Sequence, residues 1–146
     1  MLKTMVLLVD DESAFVETMK KRLSKRGLEV QTAYGGQEGL DKLGVDGATN
    51  VDVVILDVKM PEMDGLETLK LIKSRHPLIE VVMLTGHATV ESAIEGMKLG
   101  AFDYLMKPCD VELLVRKAEE ACQVKRRHES KILQARAEMI ALRRGD

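Results

Sequence analysis

The sequence predicts an α/β protein in which five strands alternate with five helices around one doubly wound parallel sheet. Two observations carry that expectation. Short apolar runs, the longest of them rich in β-branched residues, read as strands buried on both faces: Met5–Val9, Val51–Leu56, Val81–Leu84 and the shorter Asp103–Met106. The segments between them carry apolar residues at helical spacing, punctuated by Gly and Pro, and this rhythm implies right-handed crossovers. Each of the four runs ends in polar residues: Asp10-Asp11-Glu12, Asp57, Thr85-Gly86 and Lys107-Pro108.

Taken in order, Met5–Val9 is the first strand. Phe15, Val16, Met19 and Leu23 mark a helix over 13–26, and Gly27 stops it. Glu29–Ala33 alternates as a half-buried strand. A short helix opens at Gly35-Gly36 and ends at Leu43, weakened by Gly39, and a loop over 44–50 leads into the central strand, Val51 to Asp57. Leu66, Leu69 and Ile72 define a helix from Gly65 to Arg75, stopped before Pro77. Val81–Thr85 is the fourth strand, and Val90, Ile94 and Met97 mark the fourth helix, closed by Gly100. Asp103–Met106 is the fifth strand. Asp110 caps a last helix that, with no Pro or Gly before Gly145, can run from Val111 to about Arg143.

The 146 residues suit one domain plus an appendage, expected as a body over 1–122 and a helical extension over 123–146. Charge separates the two. Residues 1–115 hold 13 Lys/Arg against 19 Asp/Glu, whereas residues 116–146 hold 9 against 5. Cys109 and Cys122 have neither metal-ligand spacing nor nearby histidines, so two reduced thiols are expected. The first apolar run is too short for a signal peptide or a spanning helix, and the expectation is a soluble cytoplasmic protein without membrane contact.

The strand ends carry the chemistry. In open α/β sheets ligands bind beyond the carboxyl ends of the strands. There Asp10, Asp11 and Asp57 would form a dense negative cluster that a hard divalent cation such as Mg²⁺ neutralises well. A carboxylate at such a place can also act as nucleophile in phosphoryl transfer, with Lys107 and Thr85 offering a positive charge and a hydroxyl to phosphoryl oxygens. Taken singly, each signal reads as a capping turn or an ordinary loop. Four of them on four strand ends of one topology point to a site.

These residues resemble the receiver domains of two-component response regulators across about 4–122. The motifs are Val9-Asp10-Asp11-Glu12, Leu56 to Gly65, Thr85-Gly86 and Gly100 to Pro108. The resemblance implies a flavodoxin-like strand order 2-1-3-4-5. It implies that Asp57 takes a phosphoryl group from a sensor histidine kinase or a phosphotransfer protein. Asp11, Asp57 and the Lys59 backbone carbonyl would hold Mg²⁺ directly, with Asp10 acting largely through water. Thr85 and Lys107 would contact the phosphoryl oxygens, the Lys107-Pro108 bond being cis. Thr85 and Tyr104 match the family's switch pair, and Lys59 and His87 stand where the family tunes phosphate lifetime, His87 being equally readable as a surface loop residue.

The tail read as heptads has seams Val111, Ala118, Lys125, Ile132, Met139 and Leu114, Ala121, His128, Ala135, Leu142, interrupted by Lys125 and His128. A weak or register-specified coiled coil follows, and a second copy of the chain is an expected partner. Lys125-Arg126-Arg127-His128 lacks aromatics and any DNA-reading motif, so it is expected to be a solvated helix face and not a nucleic-acid contact. Three functions compete: a stand-alone phosphorylation switch, not itself an enzyme, whose output is an unidentified protein; the receiver and linker of a longer AAA+ transcription activator, which Thr85 to Ala93 and Lys98 to Ala101 resemble; and a Mg²⁺-dependent aspartyl-phosphate phosphatase. The last would want a second acid two residues after the nucleophile, where Lys59 stands.

Overall fold

A computed structural model of the chain describes residues 2–45 and 49–145. Its elements are β1 (Met5–Val9), α1 (Ser13–Lys25), β2 (Glu29–Ala33), α2 (Gly36–Leu43), β3 (Val53–Leu56), α3 (Gly65–Arg75), β4 (Glu80–Thr85), α4 (Val90–Lys98), β5 (Asp103–Met106) and α5 (Val111–Arg144). The strands form one parallel sheet in the order β2-β1-β3-β4-β5, the flavodoxin-like arrangement. Part of the loop expected over 44–50, residues 46–48, lies outside the described residues.

Strand alternation sorts the core into two layers. Leu7, Val9, Val54, Leu56, Val81 and Met83 meet Leu40 and Leu43 of α2 and Leu69 and Ile72 of α3. Val6, Leu8, Val53, Ile55, Val82 and Leu84 meet Val16, Met19 and Leu23 of α1 and Leu114, Ala118, Ala121 and Cys122 of α5. Every one of these side chains is buried, so β1, β3 and β4 read as continuous apolar runs. Asp64, Thr89 and Asp110 cap α3, α4 and α5 with side-chain oxygens that accept backbone N–H groups.

Two expectations are corrected, and one helix, placed as expected, turns an apolar face to solvent. The central strand spans Val53–Leu56, not Val51–Asp57, and the Asp52 carboxylate just before it accepts the Met5 N–H and Lys125 Nζ of α5. The apolar residues of α4 do mark a helix, but Val90, Ile94 and Met97 face outward. The inward side of α4 is Gly96, where a Cβ would sit 3.5 Å from the Tyr104 ring, so the helix lies close on β5. The basic cluster 125–128 is not a uniformly solvated face. Lys125 is buried and Arg126 half-buried on the body, whereas Arg127 and His128 are exposed. The body therefore holds α5 beyond residue 122, as far as Arg126.

Candidate functional site

At the carboxyl edge of the sheet, β1, β3, β4 and β5 deliver Asp10, Asp57, Thr85 and Lys107, and Asp11 follows Asp10 in the loop. Asp10 and Asp57 are buried and Asp11 is exposed. Ligand oxygens of all three carboxylates lie within 4.8 Å of one another. This is a hard-oxygen donor set of the kind that holds Mg²⁺ while leaving positions for water and phosphate, so the residues fit the cation.

The backbone fixes Asp57 closely. Its N–H donates to the Val9 carbonyl at 3.1 Å, and its Oδ1 accepts the Val58 N–H at 2.8 Å. The loop after β3 then folds back, with Glu62 in the left-handed region at φ 69°. Gly65 presses against the strand end: its N–H reaches the Val58 carbonyl at 2.6 Å, and a Cβ there would lie 1.9 Å from the Asp57 carbonyl oxygen. Only glycine fits this approach.

Lys107 is the countercharge. Its Nζ donates to Asp10 Oδ2 at 2.6 Å and to Glu12 Oε1 at 3.1 Å, and stands 3.9 Å from Asp57 Oδ2. It also lies 4.0 Å from the centroid of the Phe15 ring. The Lys107-Pro108 bond is cis. Burial pushes the Asp10 carboxyl above its ordinary range, and the Asp57 charge adds to this, while the hydrogen bonds from Lys107 and the Glu12 N–H oppose it. For Lys107, burial acts downward, but hydrogen bonds to Asp10 and Glu12 and the charges of Asp10 and Asp57 outweigh it and leave the ammonium above its ordinary value.

Thr85 is buried at the end of β4, and its Oγ1 accepts the His87 N–H at 3.0 Å. The side chains of Lys59 and His87 are exposed beside the site. Tyr104 is half-buried on β5, and its hydroxyl shares a 2.6 Å hydrogen bond with Ser92 Oγ.

Sequence reasoning missed three contributors. Glu12 was legible only as part of an acidic motif, Phe15 only as a core residue of α1, and Ser92 not at all. The Thr89-x-x-Ser92 spacing is a capping signal that could have placed Ser92 in the first turn of α4, but its contact with Tyr104 joins two elements twelve residues apart.

Known proteins share both the sequence and this geometry. Residues 6–119 match the family model described as "Response regulator receiver domain". The chain is 38% identical over 121 residues to the DNA-binding transcriptional regulator NtrC of Escherichia coli, covering 83% of this chain and 25% of that protein. It is 35% identical over 137 residues to the transcriptional regulatory protein ZraR of Klebsiella oxytoca, covering 94% of this chain and 30% of the relative. The chain thus spans about a quarter to a third of the length of these relatives. Among solved structures, a response regulator receiver domain protein from Clostridium thermocellum superimposes with a TM-score of 0.79 at 38% identity, covering 84% of this chain and 97% of the other. The receiver domain of NtrX from Brucella abortus does so with a TM-score of 0.73 at 32% identity, covering 81% of this chain and 98% of the other. On sequence, fold and site together, the chain belongs to the receiver domains of two-component response regulators.

Proposed function

We propose that Asp57 is the phosphoacceptor of this receiver and that the chain is a signalling switch whose only chemistry is the gain and loss of that phosphoryl group. The observation that carries this reading is the burial of Asp57 at a strand end within an acidic cluster of three aspartates that has Lys107 as its near cation. The donor is a phosphohistidine of a sensor kinase or of a phosphotransfer protein. An Asp57 carboxylate oxygen attacks phosphorus as the bond from phosphorus to the histidine nitrogen breaks, and the imidazole leaves with that electron pair. Asp11, Asp57 and the Lys59 carbonyl would hold Mg²⁺, with Asp10 contributing largely through water, and the cation would supply charge neutralisation for the carboxylates and the phosphoryl oxygens. Lys107 stands 3.9 Å from Asp57 Oδ2 and needs only a side-chain swing to meet a phosphoryl oxygen. Thr85 has a hydroxyl proton to donate while its oxygen accepts the His87 N–H. Lys59 and His87 flank the path of attacking water and tune the lifetime of the adduct.

The signal leaves through Thr85 and Tyr104. Movement of the Thr85 hydroxyl toward the phosphoryl group opens space into which Tyr104 turns, giving up its hydrogen bond to Ser92. The outward Val90, Ile94 and Met97, with the exposed Met106, form the face that this change remodels for an output protein. The exposed part of α5, which carries Ile132, Leu133, Met139 and Ile140, pairs with a second copy in the phosphorylated state. A second reading, the receiver and linker of a longer transcription activator, is supported by the likeness of the chain to the transcriptional regulators NtrC and ZraR.

Incubation with Mg²⁺ and acetyl phosphate tests the site. It should give an acid-stable, base-labile adduct on Asp57 that Asp57→Asn abolishes, and equal labelling of the variant would overturn the assignment. Sedimentation with and without beryllofluoride, on the intact chain and on one ending at Gln123, tests the pairing. An unchanged mass and shape on activation of both would refute it.

A further inference from the structure

The opposite edge of the sheet holds a second buried acid on β3's approach. Asp52 is 5% exposed and makes contact with three donors. Its Oδ2 accepts the Met5 N–H at 2.9 Å and Arg126 Nη2 at 3.1 Å, and its Oδ1 accepts Lys125 Nζ at 3.1 Å. Lys125 also reaches Glu129 Oε2 at 3.2 Å. Arg126 donates to the Leu2 and Lys3 carbonyls at 3.3 and 2.9 Å. The Asp52 backbone is itself tied to its neighbours, its N–H donating to the Met5 carbonyl and its carbonyl accepting the Glu80 N–H.

We propose that Asp52 is the anchor that aims the α5 extension, fixing its direction and helical phase relative to the body through Lys125 and Arg126. The argument is one of packing and charge. The apolar seating of α5 on the sheet ends at Cys122, and without Asp52 the buried Lys125 at the next body-facing position would keep only Glu129, a residue of its own helix, and no partner on the body. Past Glu129 the helix has few contacts with the body, and by itself a helix of that length is marginal in water. A rigid root at Lys125 and Arg126 is therefore what gives the start of the extension, past Glu129, a fixed direction. It also sets which side the exposed apolar residues present, since Ile132 and Met139 continue the face that Leu114, Ala118 and Lys125 bury, and Leu133 and Ile140 lie beside it in line with Cys122. Asp52 and Asp57 sit on the two ends of one short strand, so this anchor and the phosphoacceptor share a rigid element.

Hydrogen–deuterium exchange on the intact chain, without phosphodonor, tests the anchor separately from the phosphorylation reading. In the wild-type protein, amides of 124–130 should be protected well beyond those of 136–144. Asp52→Asn should speed exchange across 124–132 by at least about tenfold, and Lys125→Met should do the same in part. The double variant should exceed the stronger single variant by little, because the two remove one interaction. Phosphorylation by acetyl phosphate should stay within about twofold of wild type, as neither residue touches the site. Wild-type exchange at 124–130 as fast as at 136–144, or unchanged exchange in Asp52→Asn, overturns the proposal, as do fully additive single effects. If Asp52→Asn fails to fold, Lys125→Met and Arg126→Gln read the same bonds from the helix side, and unchanged protection in both overturns it equally.

Discussion

The two ends of β3 carry the same residue type in opposite electrostatic company. At the carboxyl end, Asp57 shares one ammonium, Lys107, with Asp10, Glu12 and the nearby Asp11. At the amino end, Asp52 and Glu129 meet Lys125 and Arg126, two charges against two, with the Met5 N–H as a further donor. Both aspartates are buried. A buried acid whose partners balance it holds structure together. A buried acid left among other acids costs stability until a cation arrives, which is the electrostatic condition of a candidate metal site.

The sharpest way to break this comparison is to make one change at both ends. Asp52→Asn should cost about 2–3 kcal/mol of stability, because it removes the body's carboxylate from a buried ammonium and leaves only Glu129 beside it. Asp57→Asn should cost little or raise stability in metal-free protein, because it relieves repulsion. Denaturant unfolding of the two variants decides the point, and equal losses would show that the two ends do not differ as described.

Next in size is the metal. Asp11 is exposed, so Asp11→Ala should leave the fold intact while weakening Mg²⁺ binding by at least about tenfold, read by titration in the unphosphorylated protein. Unchanged affinity would reduce Asp11 to a turn residue.

A smaller effect separates the ends by pH. Burial and the Asp57 charge raise the folded-state value of Asp10 above its ordinary 3.8. The folded protein then binds that proton more tightly than the unfolded chain, so stability falls as pH rises from about 3.8 through the raised value and is flat beyond it. Asp10→Asn should therefore raise the melting temperature of metal-free protein near pH 7, and the gain should shrink as the pH is lowered toward 3.8. A gain independent of pH would point to packing rather than charge.

The smallest effect contrasts neighbours on α5. Arg127→Ala should change stability by less than about 0.5 kcal/mol, because the side chain is solvated, whereas Lys125→Met two residues earlier should be felt clearly.

The sequence by itself determined the alternation of strands and helices and the site built on their ends. Runs such as Val53–Leu56 and Val81–Leu84, alternating with helical segments, fit the interior of a parallel sheet, and Asp10, Asp57, Thr85 and Lys107 each sit at the end of such a run or directly after it. Periodicity also located every helix to within a residue or two, since caps such as Asp64 and Asp110 and stops such as Gly27 and Gly100 are local signals. What only the tertiary structure decided are the pairings between distant elements. That Val90, Ile94 and Met97 face out depends on Gly96 meeting Tyr104. That Lys107 is shared by Glu12 and lies over Phe15 depends on α1 packing beside β5's end. Helical spacing makes Lys125 look like a flaw in an apolar seam, and it becomes a buried partner only because Asp52, 73 positions earlier, comes to rest beneath it. A charge pattern along one helix cannot reveal this, because the energy of a buried charge is set by the neighbour that the fold brings to it.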